Sequence, residues 1–169
     1  MRAMPAKSEL SPRDLKSFLG DVILCQRVAE NPSNYVWRVV GTKVAAVVGD
    51  LTGMTFEESA PSGHAARWVE CSDLVLDGGR PLRFLGRVRI KDREYLNAEN
   101  FYVPLSNDEG EPTYILGLCR YTPRRANDEE RWEKQIAAIS FSADGKKPGI
   151  SSQAFNVSAD IQTLINFPV

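Results

Sequence analysis

The side chains that most often carry enzyme chemistry are few and scattered in this chain of 169 residues. His64 is the only histidine, which excludes a metal site built from several histidines. Cys25, Cys71 and Cys119 do not have the spacing of a zinc or redox motif. No nucleophile-elbow or cysteine-protease sequence accompanies them. We therefore predict no metal site and no catalytic residue, and expect Cys71 to pack as a small apolar side chain.

Carboxylates occur in clusters, but mostly in segments that are predicted to be loops. Glu57 and Glu58 lie in "FEES", and a second group lies in "NDEGE". A general acid–base pair must converge in a pocket, whereas acids clustered in loops are usually solvated. Glu99 differs because it lies in a predicted strand, on the same face as apolar residues. A buried carboxylate needs a partner, and we expect an ion pair with Arg38 or Arg87; contact with a ligand is the alternative.

Basic residues form a stripe along one predicted strand, "RPLRFLGRVRIK". Arg83, Arg87, Arg89 and Lys91 alternate there with apolar residues, with the period of two that is typical of a strand. A nucleic-acid surface would require interleaved aromatic residues and a basic balance, but the formal net charge is -1. We expect a solvated sheet face and no nucleic-acid partner; contact with an anionic protein partner is the alternative.

Composition indicates an ordinary soluble protein, with 43% hydrophobic and 25% charged residues. The length fits one domain with extensions. No apolar run approaches the roughly 20 residues that cross a bilayer, and the N-terminus has no secretory apolar segment. We expect no membrane partner and a cytoplasmic location, where three scattered thiols stay reduced.

Hydrophobic periodicity predicts the elements that position these residues. A first helix, Pro12–Leu19, precedes two strands, Asp21–Val28 and Tyr35–Val40. In "YVWRVVGTKVAAVVGDLTGM" the apolar period changes from two to 3.6 after Gly41, which predicts a short helix over Lys43–Val48.

The second half of the chain continues with helices and then strands. One more helical turn is expected over Phe56–Ser59, and a long helix over Pro61–Asp77, ended by two glycines. Three strands follow, up to Pro123. Beyond Arg124 we predict a helix that begins at Asn127, a linker, and a short terminal helix capped by Ser158.

This order predicts the α+β class: one five-stranded antiparallel sheet with helices packed on one face. It also predicts an N-terminal flanking helix in residues 1–20, a central domain in 21–123, and a partly helical or flexible extension in 124–169.

Several segments resemble the PAS domain family, in particular the small stand-alone bacterial PAS proteins common in alphaproteobacteria. They are "YVWRVVGTKVAAVVGDLTGMTFEE", "GRPLRFLGRV", "FYVPLSNDEGEPTYILG" and the start "MPAKSELSPRDLKSFLGDVIL". They agree with that group in order and spacing over about residues 5 to 123.

The resemblance implies a pocket between the helices and the sheet, which either binds a ligand or is filled by its own side chains. By strand parity its candidates are Trp37, Val44, Trp68, Phe84, Val88, Glu99, Phe101, Val103, Leu116 and Leu118. Some PAS domains bind haem through one histidine on the long helix, so haem at His64 is a minor alternative to no cofactor. The cysteine box of flavin-binding PAS domains is absent.

The resemblance further implies a non-catalytic regulatory protein of signal transduction, acting as a homodimer or on a protein partner. The candidate contact residues are Leu15, Phe18, Leu19 and Trp132. The second hypothesis is a binding protein for an apolar metabolite, haem or a nucleotide, and a small enzyme ranks last.

Overall fold

The computed structural model describes residues 4–31, 34–60 and 64–128, and the backbone of 161–164. An antiparallel sheet carries three α-helices on one face, here called the inner face; the opposite face is called the outer face. The strands are β1 (Val22–Arg27), β2 (Tyr35–Val40), β3 (Leu82–Arg87), β4 (Leu96–Ser106), β5 (Pro112–Pro123) and β6 (Ile161–Leu164). The helices are α1 (Thr42–Val48), α2 (Phe56–Ser59) and α3 (Ala65–Gly78).

The sheet has the strand order β2-β1-β5-β4-β3-β6, and every neighbouring pair is antiparallel. The predicted fold class and the five strands up to Pro123 are therefore confirmed. The prediction of a terminal helix capped by Ser158 is wrong for Ile161–Leu164, which pair with β3 as an edge strand. The remainder of the predicted C-terminal helical extension lies outside the described residues.

The N-terminal segment is not the α-helix that the apolar spacing predicted. It consists of a turn followed by a 3-10 helix, Lys16–Asp21. The Ser11 hydroxyl accepts a hydrogen bond from the amide of Arg13, two residues along, which closes a local turn instead of capping an α-helix. Because a 3-10 helix has three residues per turn, Leu15 and Leu19 do not share one α-helical stripe.

The helices end where the sequence signals indicated, but α3 begins at Ala65, later than the predicted start at Pro61. Gly49 ends α1 at φ 88° and Gly79 ends α3 at φ 61°, conformations that suit glycine. Thr55 and Glu58 form a capping box at the start of α2. The chain therefore leaves β2, crosses the inner face in short helices and returns along α3. Among the described residues no helix is long and apolar enough to cross a membrane.

The core lies between the inner face and the helices, and one glycine sets the closest approach within it. Ile23 and Cys25 of β1 and Val75 and Leu76 of α3 are buried there. A Cβ atom at Gly117 on β5 would lie 2.5 Å from Cγ1 of Ile23. Only glycine lets β1 and β5 pack this way, because no side chain fits at that point.

Candidate functional site

A cavity of about 150 Å³ lies between the inner face and the helices. Its walls are mainly aromatic: Trp37, Phe56, Trp68, Phe84, Tyr102 and Tyr121. Aliphatic side chains of α1 and β3 complete the apolar part of the lining. The inner face is therefore neither a fully packed core nor an open cleft.

Three aromatic rings from β2, α2 and α3 form one connected cluster. Phe56 lies with its ring centroid 4.7 Å from Trp37 and 5.6 Å from Trp68. The two indoles meet edge to face at 5.5 Å. The indole NH of Trp37 donates to the hydroxyl of Ser59 at 2.9 Å, so its polar group is satisfied. Such packing fixes the rings in position and leaves rigid, flat walls around the cavity.

Two polar atoms in the cavity lining are shielded from solvent and have no partner among the described residues. They are Nε of Arg67, in the first turn of α3, and Oδ1 of Asn100, on β4. Arg87, Arg89 and His64 also line the cavity, and no described lining residue is an aspartate or a glutamate. The described lining therefore includes arginines and no carboxylate.

The thiols in the lining are not reactive groups. Burial raises the pKa of Cys71 to about 12, assisted by the negative charge of Glu70. Burial likewise raises the pKa of Cys119 to about 12, with a further contribution from Asp21. Both thiols are therefore protonated at neutral pH and are poor nucleophiles. Within the described part of the chain no group of three metal-ligating side chains occurs.

A hydrogen-bonded network joins the aromatic cluster to α3. Tyr35, stacked on Phe56 at 5.2 Å, donates its hydroxyl to Asp73 at 2.5 Å. Arg27 donates to Tyr35, Asp73 and Asp77. Burial raises the pKa of Tyr35, and the hydrogen bond to Asp73 raises it further. Burial lowers the pKa of Arg27, but the hydrogen bonds to Asp77 and Tyr35 outweigh that effect and the net shift is upward.

Half of the predicted pocket residues line the cavity and half do not. The first group is Trp37, Val44, Trp68, Phe84 and Val88.

The second group, Glu99, Phe101, Val103, Leu116 and Leu118, lies on the outer face. On β4 the inward residues are Ala98, Asn100 and Tyr102. On β4 and β5 the prediction placed the wrong alternate residues on the inner face. Because side chains alternate along a strand, an error of one residue moves every predicted pocket residue of that strand to the other face.

Glu99 pairs with a different arginine from those expected. Its Oε1 accepts from Nε of Arg83 at 2.7 Å, and Nη2 of the same guanidinium lies 2.6 Å away. The two residues lie on adjacent strands, β4 and β3. Arg38 instead donates to Gln26. The expected partners Arg38 and Arg87 are therefore wrong, and Glu99 does not line the cavity.

Sequence reasoning missed Tyr102, Asn100 and Arg67, although one signal for the phase was available. Gly117 on β5 packs closely against Ile23 on the inner side. Ile115 and Cys119, which lie on the same side of β5 as Gly117, therefore also face the inner side. Tyr102 on β4 pairs with Gly117 on β5. Gly117 therefore also indicates which residues of β4 face the inner side.

The residues around His64 do not fit a haem. His64 is the N-cap of α3, is partly buried and lines the cavity. A cavity of about 150 Å³ is smaller than the roughly 300–1,000 Å³ of pockets that enclose drug-sized ligands. A macrocycle would have to displace the packed indoles of Trp37 and Trp68.

The predicted contact residues have different environments. Phe18 is 50% and Leu19 47% exposed, which is high for large apolar side chains. Leu15 is partly buried. Trp132 lies outside the described residues.

A single antiparallel sheet with helices around a cavity on one face is an α+β arrangement typical of PAS domains, which are sensory and regulatory modules. The chain belongs to the PAS domain family, whose sequence model matches residues 1–120. No curated protein matches the sequence.

Solved structures with the same fold include VqmA bound to DPO, with a TM-score of 0.53 and 16% identity over 86% of this chain and 70% of that one. A Vibrio cholerae VqmA dimer in the absence of target DNA has a TM-score of 0.51 and 15% identity over 68% of this chain. This chain spans 52% of that VqmA chain.

The expectation of no nucleic-acid partner, drawn from net charge, is contradicted by these relatives in fold. A complex of Vibrio cholerae VqmA with ligand and DNA matches at 15% identity and a TM-score of 0.50, over 76% of this chain and 58% of that chain. A protein that contains this fold can thus bind DNA, and a net charge near zero is not a ground for exclusion.

Proposed function

We propose that the protein is a non-catalytic regulatory module of signal transduction that works in the cytoplasm through protein–protein contacts. A small ligand in the cavity biases the packing of the helices on the sheet, and a homodimer mate or a signalling partner reads the change. The observation that carries this proposal is the combination of a cavity on the inner face with exposed apolar side chains outside it.

The exposed apolar residues favour a second copy of the chain as the contact. Leu19 adjoins Gly41, the residue after β2, because a Cβ atom at Gly41 would lie 2.4 Å from the carbonyl oxygen of Leu19. Val39 on the edge strand β2 is 43% exposed. Exposed large apolar side chains that form a patch are typical of interaction surfaces.

The cavity chemistry supports a binding role over catalysis. A general base or nucleophile needs a pKa close to the working pH, but the pKa values of Cys71 and Cys119 are raised to about 12. The described lining also has no carboxylate. The three described cysteines are free, which fits a reducing compartment.

Sedimentation of the full chain tests the contact surface. We expect the wild type to form a dimer and Phe18→Glu to form a monomer. Tyr95→Glu is the matched control, because Tyr95 is 58% exposed but lies in the turn before β4. A wild type that stays monomeric at all concentrations, or equal disruption by both substitutions, contradicts the dimer.

A pull-down from the source cell, with and without nuclease, identifies the class of partner. Capture that survives nuclease supports a protein contact, whereas capture that nuclease abolishes contradicts it.

The second candidate is a ligand-binding protein that has no signalling partner. The two unpartnered polar atoms in the cavity favour it. A ligand that binds without changing either the sedimentation or the pull-down would support this candidate over the first.

A further inference from the structure

We propose that the cavity takes a planar, single-ring organic anion, held by Arg67 and Asn100. This inference rests on the ligand-modulated part of the proposed function, and it names the chemical class of the ligand. Four properties of the cavity carry it: volume, wall shape, charge and two orphaned polar atoms.

The volume limits the ligand to one ring. A cavity of about 150 Å³ matches the engineered protein cavity of roughly 150 Å³ that binds benzene. A fused two-ring system would require the side chains of the wall to move. The ligand class is therefore smaller than the flavins, haems and nucleotides.

The walls favour a flat molecule. Phe84 and Tyr102 lie with their ring centroids 5.3 Å apart on the sheet side. The cluster of Trp37, Phe56 and Trp68 joins β2 to α2 and α3 along another part of the lining. A space between rigid rings suits an aromatic or conjugated ligand, since offset and edge contacts of rings add to simple burial.

The charge of the lining selects an anion. Arg67 is a partly buried arginine of the lining, and no acidic residue is present in the described lining. Arg67 lies in the first turn of α3, where the helix dipole adds positive potential. A carboxylate is the natural partner of a guanidinium because the hydrogen bonds are charge-assisted. A cationic ligand would be repelled.

The orphaned atoms show where the ligand is held. Nε of Arg67 is a donor and Oδ1 of Asn100 is an acceptor, both buried and both without a partner among the described residues. An unsatisfied buried polar atom is costly, so either side chain gains when a small rotation brings that atom against a ligand group that pairs with it. A ring that carries a carboxylate and a hydroxyl group offers an acceptor to Arg67 and a donor to Asn100.

An isosteric series of probes tests the charge. Benzoate, benzamide and benzamidinium have almost the same shape but carry negative, zero and positive charge. Titration calorimetry on the full chain, with the fluorescence of Trp37 and Trp68 as a second readout, measures each affinity. We expect benzoate to bind at least about ten times more tightly than benzamide, and benzamidinium and 2-naphthoate to bind least.

Substitutions assign the preference to the named residues. Arg67→Met should bring the affinity ratio of benzoate to benzamide close to one, whereas Arg38→Met should leave it unchanged. Arg38 is the matched control because it is exposed on β2 and donates to Gln26 away from the cavity. Asn100→Leu should remove the gain in affinity of the best hydroxybenzoate isomer over benzoate. Circular dichroism and thermal unfolding confirm that each variant folds.

The outcomes separate the ligand class from the proposed function. If benzamide or benzamidinium binds as tightly as benzoate, the proposal that the ligand is an anion is wrong, whereas the cavity is still a ligand site. Unchanged preference in Arg67→Met overturns the role of that residue. If none of the probes binds, the planar single-ring anion is overturned, whereas the proposed function is judged separately by sedimentation and the pull-down.

Discussion

The same strands supply both faces of the sheet, but the polar side chains of the inner and outer faces have different environments. On β4, Tyr102 and Asn100 face inward to the cavity, whereas Phe101 and Glu99 face outward. The outward carboxylate has an ion-pair partner in Arg83. The inward amide oxygen of Asn100 has none among the described residues. The face that leaves a buried polar atom unsatisfied is the one that has room for a ligand, which indicates that the functional site is on the inner face.

The largest expected difference between the faces concerns aromatic truncation. Phe56 is 3% exposed and packs against three other rings. Phe56→Ala should lower the free energy of unfolding by about 3–5 kcal/mol, because it removes buried surface and leaves a void. Phe101→Ala, on the partly buried outer face, should cost less than about half of that. Urea unfolding measures both, and equal losses would contradict the distinction between the faces.

A second comparison concerns added volume. Gly117→Ala places a Cβ atom 2.5 Å from Ile23 and 2.9 Å from Tyr102, on the inner face. We expect a loss of about 1–3 kcal/mol from overpacking. Gly78→Ala is the control, since its Cβ would meet only Arg80 at 3.7 Å in a helix, and it should stabilise slightly. If Gly117→Ala leaves the free energy of unfolding unchanged, the inner face can rearrange at a point where the structure shows tight contact.

The network on Tyr35 predicts a pH dependence. Burial and the acceptor Asp73 raise the pKa of Tyr35 above its unfolded value of about 10. The hydrogen bond therefore stabilises the fold at pH below about 10, and this contribution is lost as the pH rises through the folded pKa. Tyr35→Phe should cost about 1–2 kcal/mol at pH 7, since Asp73 is partly solvated.

Urea unfolding of both proteins from pH 7 to pH 11 tests that sign. The difference between wild type and Tyr35→Phe should shrink above pH 10, although other buried tyrosines make both proteins less stable there. A difference that grows with alkaline pH would contradict the assignment.

The sequence predicted the sheet and helices well because these depend on local signals. Gly41 and Gly49 bracket α1, and two glycines end α3. The prediction of the pocket depended on which face of the sheet each strand residue occupies, and the local sequence does not determine that. Phe101 and Tyr102 are equally apolar neighbours, so their pattern does not decide which faces the helices. Gly117 carries that information, but only through its contact with Ile23 and Tyr102 across the sheet.

The orphaned atoms of the cavity were beyond prediction for a related reason. Arg67 looks like an ordinary exposed arginine of an amphipathic helix. It becomes a candidate ligand contact because the chain places its Nε in a buried space that Asn100 enters from β4. The 3-10 helix at Lys16–Asp21 shows the same limit, because a side-chain turn at Ser11 competes with the helical spacing of the apolar residues.

The smallest expected effect belongs to the ion pair of the outer face. The Glu99 side chain is 43% exposed, so solvent screens its attraction to Arg83. Glu99→Gln should change the free energy of unfolding by less than about 1 kcal/mol, and the difference should shrink further in 1 M salt. The same variant should bind benzoate as the wild type does, because Glu99 faces away from the cavity. A marked loss of benzoate affinity in Glu99→Gln would mean that the outer face contributes to the site, and the division between the two faces would fail.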